Sequence, residues 1–137
     1  MGYDEVIALF QGRIEMLGYT VEWVDYLFIP AVTDHTAAVV IASKPNCTPF
    51  YLQHEFQHVV YKHTGRLAHF NGSDARNSNE SVSNDMAIAY IVDFHSQNNW
   101  EWNYNTIMES YGIPTYLEDK VIRAMADTAG YSGFSFV

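Results

Sequence analysis

The sequence predicts an α+β fold: one helix, a short sheet of two or three strands, then a run of helices. Three observations carry this. Val6, Phe10, Ile14 and Leu17 recur at helical spacing. The stretch from Thr20 to Ala42 contains short β-branched apolar runs. From Thr48 onward, residues that start helices and residues that stop them follow one another. At 137 residues the chain has the length of one domain, so residues 1–137 are expected to form a single unit.

The opening helix is expected over about Asp4 to Leu17, because Gly18 follows where helices commonly stop. Val21 and Trp23 alternate with Thr20, Glu22 and Val24, Leu27 to Ile29 lead into Pro30, and Ala37 to Ala42 is a β-branched apolar run. These segments predict antiparallel strands, with Asp34 and His35 in a turn. Thr48 followed by Pro49 marks a helix start, since threonine caps free amides and proline fits the first helical position. That helix should run to about Thr64, with Gly65 ending it. The polar run from Asn71 to Ser81 reads as a surface loop. A helix follows from about Ser78 to Ser96, with Val82, Met86, Ala89 and Tyr90 on one face. Two short helices close the chain, one ending near Tyr111 before Gly112, the other opening at Thr115 with Glu118 in capping-box spacing.

Composition narrows the function. Hydrophobic residues make up 48% and charged residues 17%, with 10 Tyr, 8 Phe and 3 Trp, which excludes disorder as a description of the whole. The net charge of −9 repels phosphate backbones and argues against direct nucleic-acid binding. Cys47 is the only cysteine, so neither an internal disulfide nor a thiolate metal cluster can form, and a reducing cytoplasm fits best. No run approaches the ~18 apolar residues of a membrane span, and MGYDEVIALF lacks a basic leader. No membrane association is expected, and the sequons at Asn46 and Asn71 are set aside.

His54-Glu55-Phe56-Gln57-His58 places two imidazoles four residues apart on one helical face with a carboxylate beside them. Neutral imidazole nitrogens on adjacent turns can both reach one zinc ion at ~2.0–2.1 Å, and Glu55 is placed to act as general base at the open position. A catalytic site needs a third protein ligand, and His63, His69, Asp74, Glu80, Asp85, Asp93 and His95 lie downstream. A metzincin would need glycine and histidine where Tyr61 and Thr64 stand, which excludes that class. Glu80 opens the next helix with Asn84 one turn behind it, so Glu80 can be a ligand while Asn84 holds an imidazole tautomer through its ring N–H. The other reading of Glu80 is a capping box with Asn77, and Asp85 is the nearest rival for either role. Asp93 and His95 read as exposed positions of the last turn, and His69 as a loop residue.

H-E-x-x-H followed 22 residues later by E-x-x-x-N, with Ala87 and Ala89 in MAIAYI, resembles the ImmA/IrrE metallopeptidases over most of the chain. The resemblance implies a small zincin-like domain and a gluzincin-like zinc site with His54, His58 and Glu80 as ligands. The chain departs from the family inside the motif, where Phe56 and Gln57 replace small or aliphatic residues and a glycine. The segment from Asn105 to Met125 resembles the family's helix-turn-helix-like tail, at about 101–129. Lys120 and Arg123 are outweighed there by Glu109, Glu118 and Asp119, which favours packing or partner docking over DNA reading.

The expected function is a zinc-dependent endopeptidase that cleaves a regulatory protein, and the resemblance implies a helix-turn-helix repressor of a prophage or mobile element, making the protein an anti-repressor. The alternative is a non-catalytic module that binds a repressor or another protein, with its metal structural or absent. Hydrolysis of a non-peptide bond is a third reading. Tyr61, His63, His69 and Tyr104 are the candidates for steadying an oxyanion.

Overall fold

A computed structural model describes residues 2–61, 74–98 and 101–129, with side chains from residue 80 onward in the second of these segments. Among the described residues the fold is α+β, with five α-helices and a three-stranded mixed sheet. Helix α1 (Tyr3–Met16) buries Val6, Phe10 and Ile14 of the predicted stripe, whereas Leu17, its C-cap, is exposed, and Gly18 follows at φ 88°.

The strands are β1 (Thr20–Val24), β2 (Ala31–Asp34) and β3 (Val39–Ser43), in the spatial order β1-β3-β2. β2 and β3 are antiparallel with Thr33 opposite Val40, whereas β1 runs parallel to β3 with Val21 opposite Val40. The all-antiparallel expectation is therefore corrected at β1. The reason is topological: β3 returns from β2 through a short turn and enters between the two earlier strands, so it must run in the direction of β1. Within that turn Asp34 Oδ1 accepts from the amides of Thr36 and Ala37 at 3.0 and 3.1 Å, as an Asx turn does. The strand expected at Leu27 to Ile29 is also displaced, to Ala31–Asp34. Tyr26 and Phe28 are 95% and 89% exposed, so apolar character there does not correspond to burial, and the strand begins after Pro30, which has no N–H to give and whose carbonyl accepts from the Ser43 amide at 2.9 Å.

Helix α2 (Pro49–Tyr61) starts where Thr48-Pro49 predicts, but the Thr48 hydroxyl donates to the carbonyl of Gly112, 3.0 Å away, instead of capping. The expected end of this helix, at Thr64 and Gly65, lies outside the described residues. Helix α3 (Asp74–Gln97) begins earlier than expected, and most of the presumed loop is helical. No glycine or proline interrupts 74–81, so the packed half of the helix propagates back through polar residues. Asn77 is then interior to the helix and is not its cap. The buried face of α3 is Ser83, Ala87, Ile88, Ile91, Val92 and His95, not the expected Val82 face, and Val82 is exposed.

Helix α4 (Tyr104–Tyr111) is capped by Asn103, whose side chain accepts from the amides of Asn105 and Thr106, and ends at Gly112 in the left-handed region. The capping box expected at Thr115 is replaced by a 3-10 turn (Thr115–Leu117) with Pro114 at its N-cap, and α5 (Glu118–Ala129) begins beyond it. α5 packs against α3 and α4, burying Val121 and Met125 in the shared core.

α2 lies at the centre, in contact with α1, α3 and β2. One side chain ties three helices together. Arg13 of α1 donates to Gln53 Oε1, and its guanidinium carbon lies 4.0 Å from the ring centre of Phe56 and 3.8 Å from that of Tyr90.

Candidate metal centre

Burial on α2 extends well beyond its apolar residues. Gln53, His54, Glu55, Gln57 and His58 are buried together with Phe50, Leu52 and Val59. Polar side chains this deep require partners, because an unsatisfied buried polar group costs about 1–3 kcal/mol.

Two of them, His54 and His58, meet a third group at one point. His54 and His58, one helical turn apart, face each other with their Nε2 atoms 3.1 Å apart. Glu80 reaches across from α3, with Oε2 3.2 Å from His54 Nε2 and Oε1 2.9 Å from His58 Nε2. Three lone-pair-bearing groups at such separations repel one another unless a proton or a cation lies among them. The buried group of His54, Glu55 and His58 could hold a metal ion: one ligand atom from each lies within 4.8 Å of the others. The His54 side chain is 6% exposed and that of His58 is fully buried, whereas the Glu80 side chain retains 31% exposure although its Oε1 is buried.

Glu55 lies on the sheet side of α2. It is 1% exposed, and its Oε1 accepts a hydrogen bond of 2.7 Å from the hydroxyl of Thr33 on β2, itself 2% exposed. Cys47 is close enough to Glu55 to respond to its charge, but burial is the main reason that its thiol is pushed up to about 12. The thiol is therefore inert as a nucleophile near neutral pH.

The remaining sequence candidates fall elsewhere. Asn84 is half-buried one turn after Glu80, and His54 Nδ1 is buried without a hydrogen-bond partner. Asp85 is exposed and ion-paired with Lys120 of α5. Asp93 is exposed and accepts from Gln97 at 2.7 Å. His95 was expected at the surface but is 1% exposed: Tyr111 OH lies 3.1 Å from Nδ1, and Nε2 lies 2.7 Å from the carbonyl of Glu101. That bond to a carbonyl requires the proton on Nε2, so Tyr111 donates to Nδ1 and His95 is a core histidine that joins α3 to α4. His63 and His69, and the side chain of Asp74, lie outside the described residues. Tyr61 is half-exposed at the end of α2, and Tyr104 packs on the core at the start of α4.

The sequence reasoning missed Thr33. A threonine among Ala31, Val32, Val40 and Ala42 is a polar residue in a run that alternation alone would fill with valine, and that is the one signal that could have marked it. Among the described residues no helix is long and apolar enough to cross a membrane. Compared with protein-family models, with curated proteins and with solved structures, the chain matches none.

Proposed function

We propose that the chain is a zinc-dependent endopeptidase of zincin-like architecture, with His54, His58 and Glu80 as metal ligands and Glu55 as the general base. The observation that supports it is the meeting of both carboxylate oxygens of Glu80 with both imidazole Nε2 atoms at 2.9 and 3.2 Å. Around a tetrahedral ion with ligand bonds of ~2.0–2.1 Å, neighbouring ligand atoms stand roughly 3.3 Å apart, so the three groups are spaced as such a centre requires. Two imidazoles and one carboxylate are a zinc donor set that leaves a fourth position for water or substrate. Zinc, when bound, supplies a Lewis acid that acidifies water and polarises a peptide carbonyl.

The chain's own residues supply the rest. Glu55 takes a proton from the attacking water and returns it to the departing amine. His54 and His58 must be neutral at Nε2 to act as ligands, and their fixed spacing on one rigid helix keeps both aimed at one point. The motif residues resemble those of the ImmA/IrrE peptidases, and the substrate class that this implies is a helix-turn-helix repressor of phage or mobile-element type. The charge of −9 favours a partner with a basic face, as DNA-binding repressors have, and disfavours competition for DNA itself.

Elemental analysis of the purified protein is expected to find one zinc per chain. Glu80→Gln should lower zinc affinity by more than about 100-fold. Glu55→Gln should retain zinc and lose hydrolysis by about 100-fold or more, when the protein is incubated with the repressor encoded beside it. A zinc-loaded protein that leaves the repressor intact overturns the reading, and stable co-elution without cleavage would replace it with the binding-module alternative.

A further inference from the structure

We infer that Thr33 is the positioning residue for the general base: its hydroxyl, presented by the neighbouring strand, sets the direction of the Glu55 carboxylate toward the metal centre. The inference rests on the peptidase reading and deepens it.

The geometry carries it. The Thr33 Oγ1 to Glu55 Oε1 distance of 2.7 Å is that of a strong hydrogen bond from a hydroxyl to a carboxylate. Thr33 is 2% and Glu55 1% exposed, so water does not compete for either group. A threonine hydroxyl has one proton to give, and giving it to Oε1 leaves the other carboxylate oxygen, Oε2, to take the proton from water. Thr33 is also β-branched and hence stiff at χ1, and its backbone is pinned by the β2–β3 ladder opposite Val40. The direction of the donor is thus fixed by the sheet, while the ligands His54 and His58 are fixed by the helix. The bond joins these two frames at the residue whose aim matters for proton transfer.

A purely structural account does not explain the choice of residue. The position lies in a run of buried small and β-branched apolar residues, where valine has the same shape and no hydroxyl to desolvate. A lysine or arginine at the same point would hold the carboxylate by charge and reduce its basicity, whereas a hydroxyl orients it without adding a cation.

The test compares the zinc-loaded full chain with Thr33→Val, which keeps the shape and removes the donor, and Thr33→Ser, which keeps the donor. Cleavage is followed on a quenched-fluorescent peptide mixture, zinc by elemental analysis, and the Glu55 side-chain carboxyl by 13C NMR, assigned through Glu55→Gln. Thr33→Val is expected to bind one zinc, to lower kcat by about 10- to 100-fold with KM within a factor of two, and to shift the Glu55 carboxyl resonance. Thr33→Ser should recover most of kcat. If Thr33→Val does not fold, the pair Thr33→Ser and Thr33→Ala gives the same comparison without the γ-methyl. A parent that cleaves peptides while the donor-less variant cleaves equally fast overturns the positioning role alone. A zinc-loaded parent that cleaves nothing overturns the peptidase reading and the positioning role with it. Equal loss of zinc and of activity in Thr33→Val makes the residue structural.

Discussion

Backbone angle and a close neighbour together explain why residue 112 is glycine. Gly112 has φ 65°, and a Cβ built there would come within 2.3 Å of Thr48 Cβ, while the Thr48 hydroxyl donates to the Gly112 carbonyl. The start of α2 and the end of α4 are thereby held against each other at the base of the helix that carries His54, Glu55 and His58. A left-handed Ala costs about 1–2 kcal/mol in backbone strain, and forcing a methyl into an occupied site costs about 1–3 kcal/mol more. Gly112→Ala is therefore expected to lower unfolding stability by roughly 2–5 kcal/mol, measured by urea denaturation. A loss below 0.5 kcal/mol would mean that the contact is readily relaxed. At this scale much was legible: Gly112 as a helix stop and the His54, Glu55 and His58 trio follow from local rules, since caps and i,i+4 spacing involve only a few neighbouring residues. Thr33 and the buried state of His95 were not legible, because each is defined by a partner 16 or more residues away.

Among the elements, α1, α2 and α3 are joined through the Arg13 guanidinium, which lies over Phe56 and Tyr90 while bonded to Gln53. This gives a reason for Phe56 inside the motif: its ring is one face of the slot that receives Arg13. Arg13→Met would remove two cation–π contacts of about 0.5–2 kcal/mol each and leave Gln53 Oε1 buried without its donor, at about 1–3 kcal/mol. A destabilisation of about 2 kcal/mol or more is expected from chemical denaturation. Arg13→Lys should recover only part of it, because a point charge cannot stack on two rings and bond to an amide at once. Equal stability of Arg13→Met and the parent would reduce the slot to a surface contact. The sheet and the start of α3 were the elements least legible in sequence. Strand direction depends on which neighbour is available, and the apolar segment Leu27 to Ile29 is not a strand. The polar stretch before Glu80 became helical because the packed half of α3 extended into it.

At the scale of the whole molecule, the buried acids govern the alkaline limit. Burial raises the Cys47 thiol from its ordinary 9.0 to about 12, with the Glu55 charge adding to the effect, and burial raises the Tyr111 phenol above its ordinary 10.0. Both groups have folded values above their unfolded ones. Their contribution is complete below the unfolded values and is lost as pH rises through the folded ones, because the unfolded chain ionises first. The unfolding free energy is expected to fall progressively from about pH 9 upward, at up to about 1.4 kcal/mol per pH unit for each group, and the melting temperature to fall with it. Cys47→Ala should flatten the part of that decline between pH 9 and about 12. An unchanged slope in Cys47→Ala would show that the thiol does not contribute.

By itself, the sequence determined the local features: the helix with its two histidines four residues apart, the net charge of −9, and the stops at Gly18 and Gly112. These depend on periodicity, capping and net charge, which are properties of short segments or of simple counts. Only the tertiary structure decided which carboxylate meets the two imidazoles, which strand holds Glu55, and that His95 is a core residue. Those outcomes depend on contacts between segments distant in the chain. Packing of α3 and β2 onto α2 brought Glu80 to the imidazoles and Thr33 to Glu55, and packing of α4 against α3 buried His95.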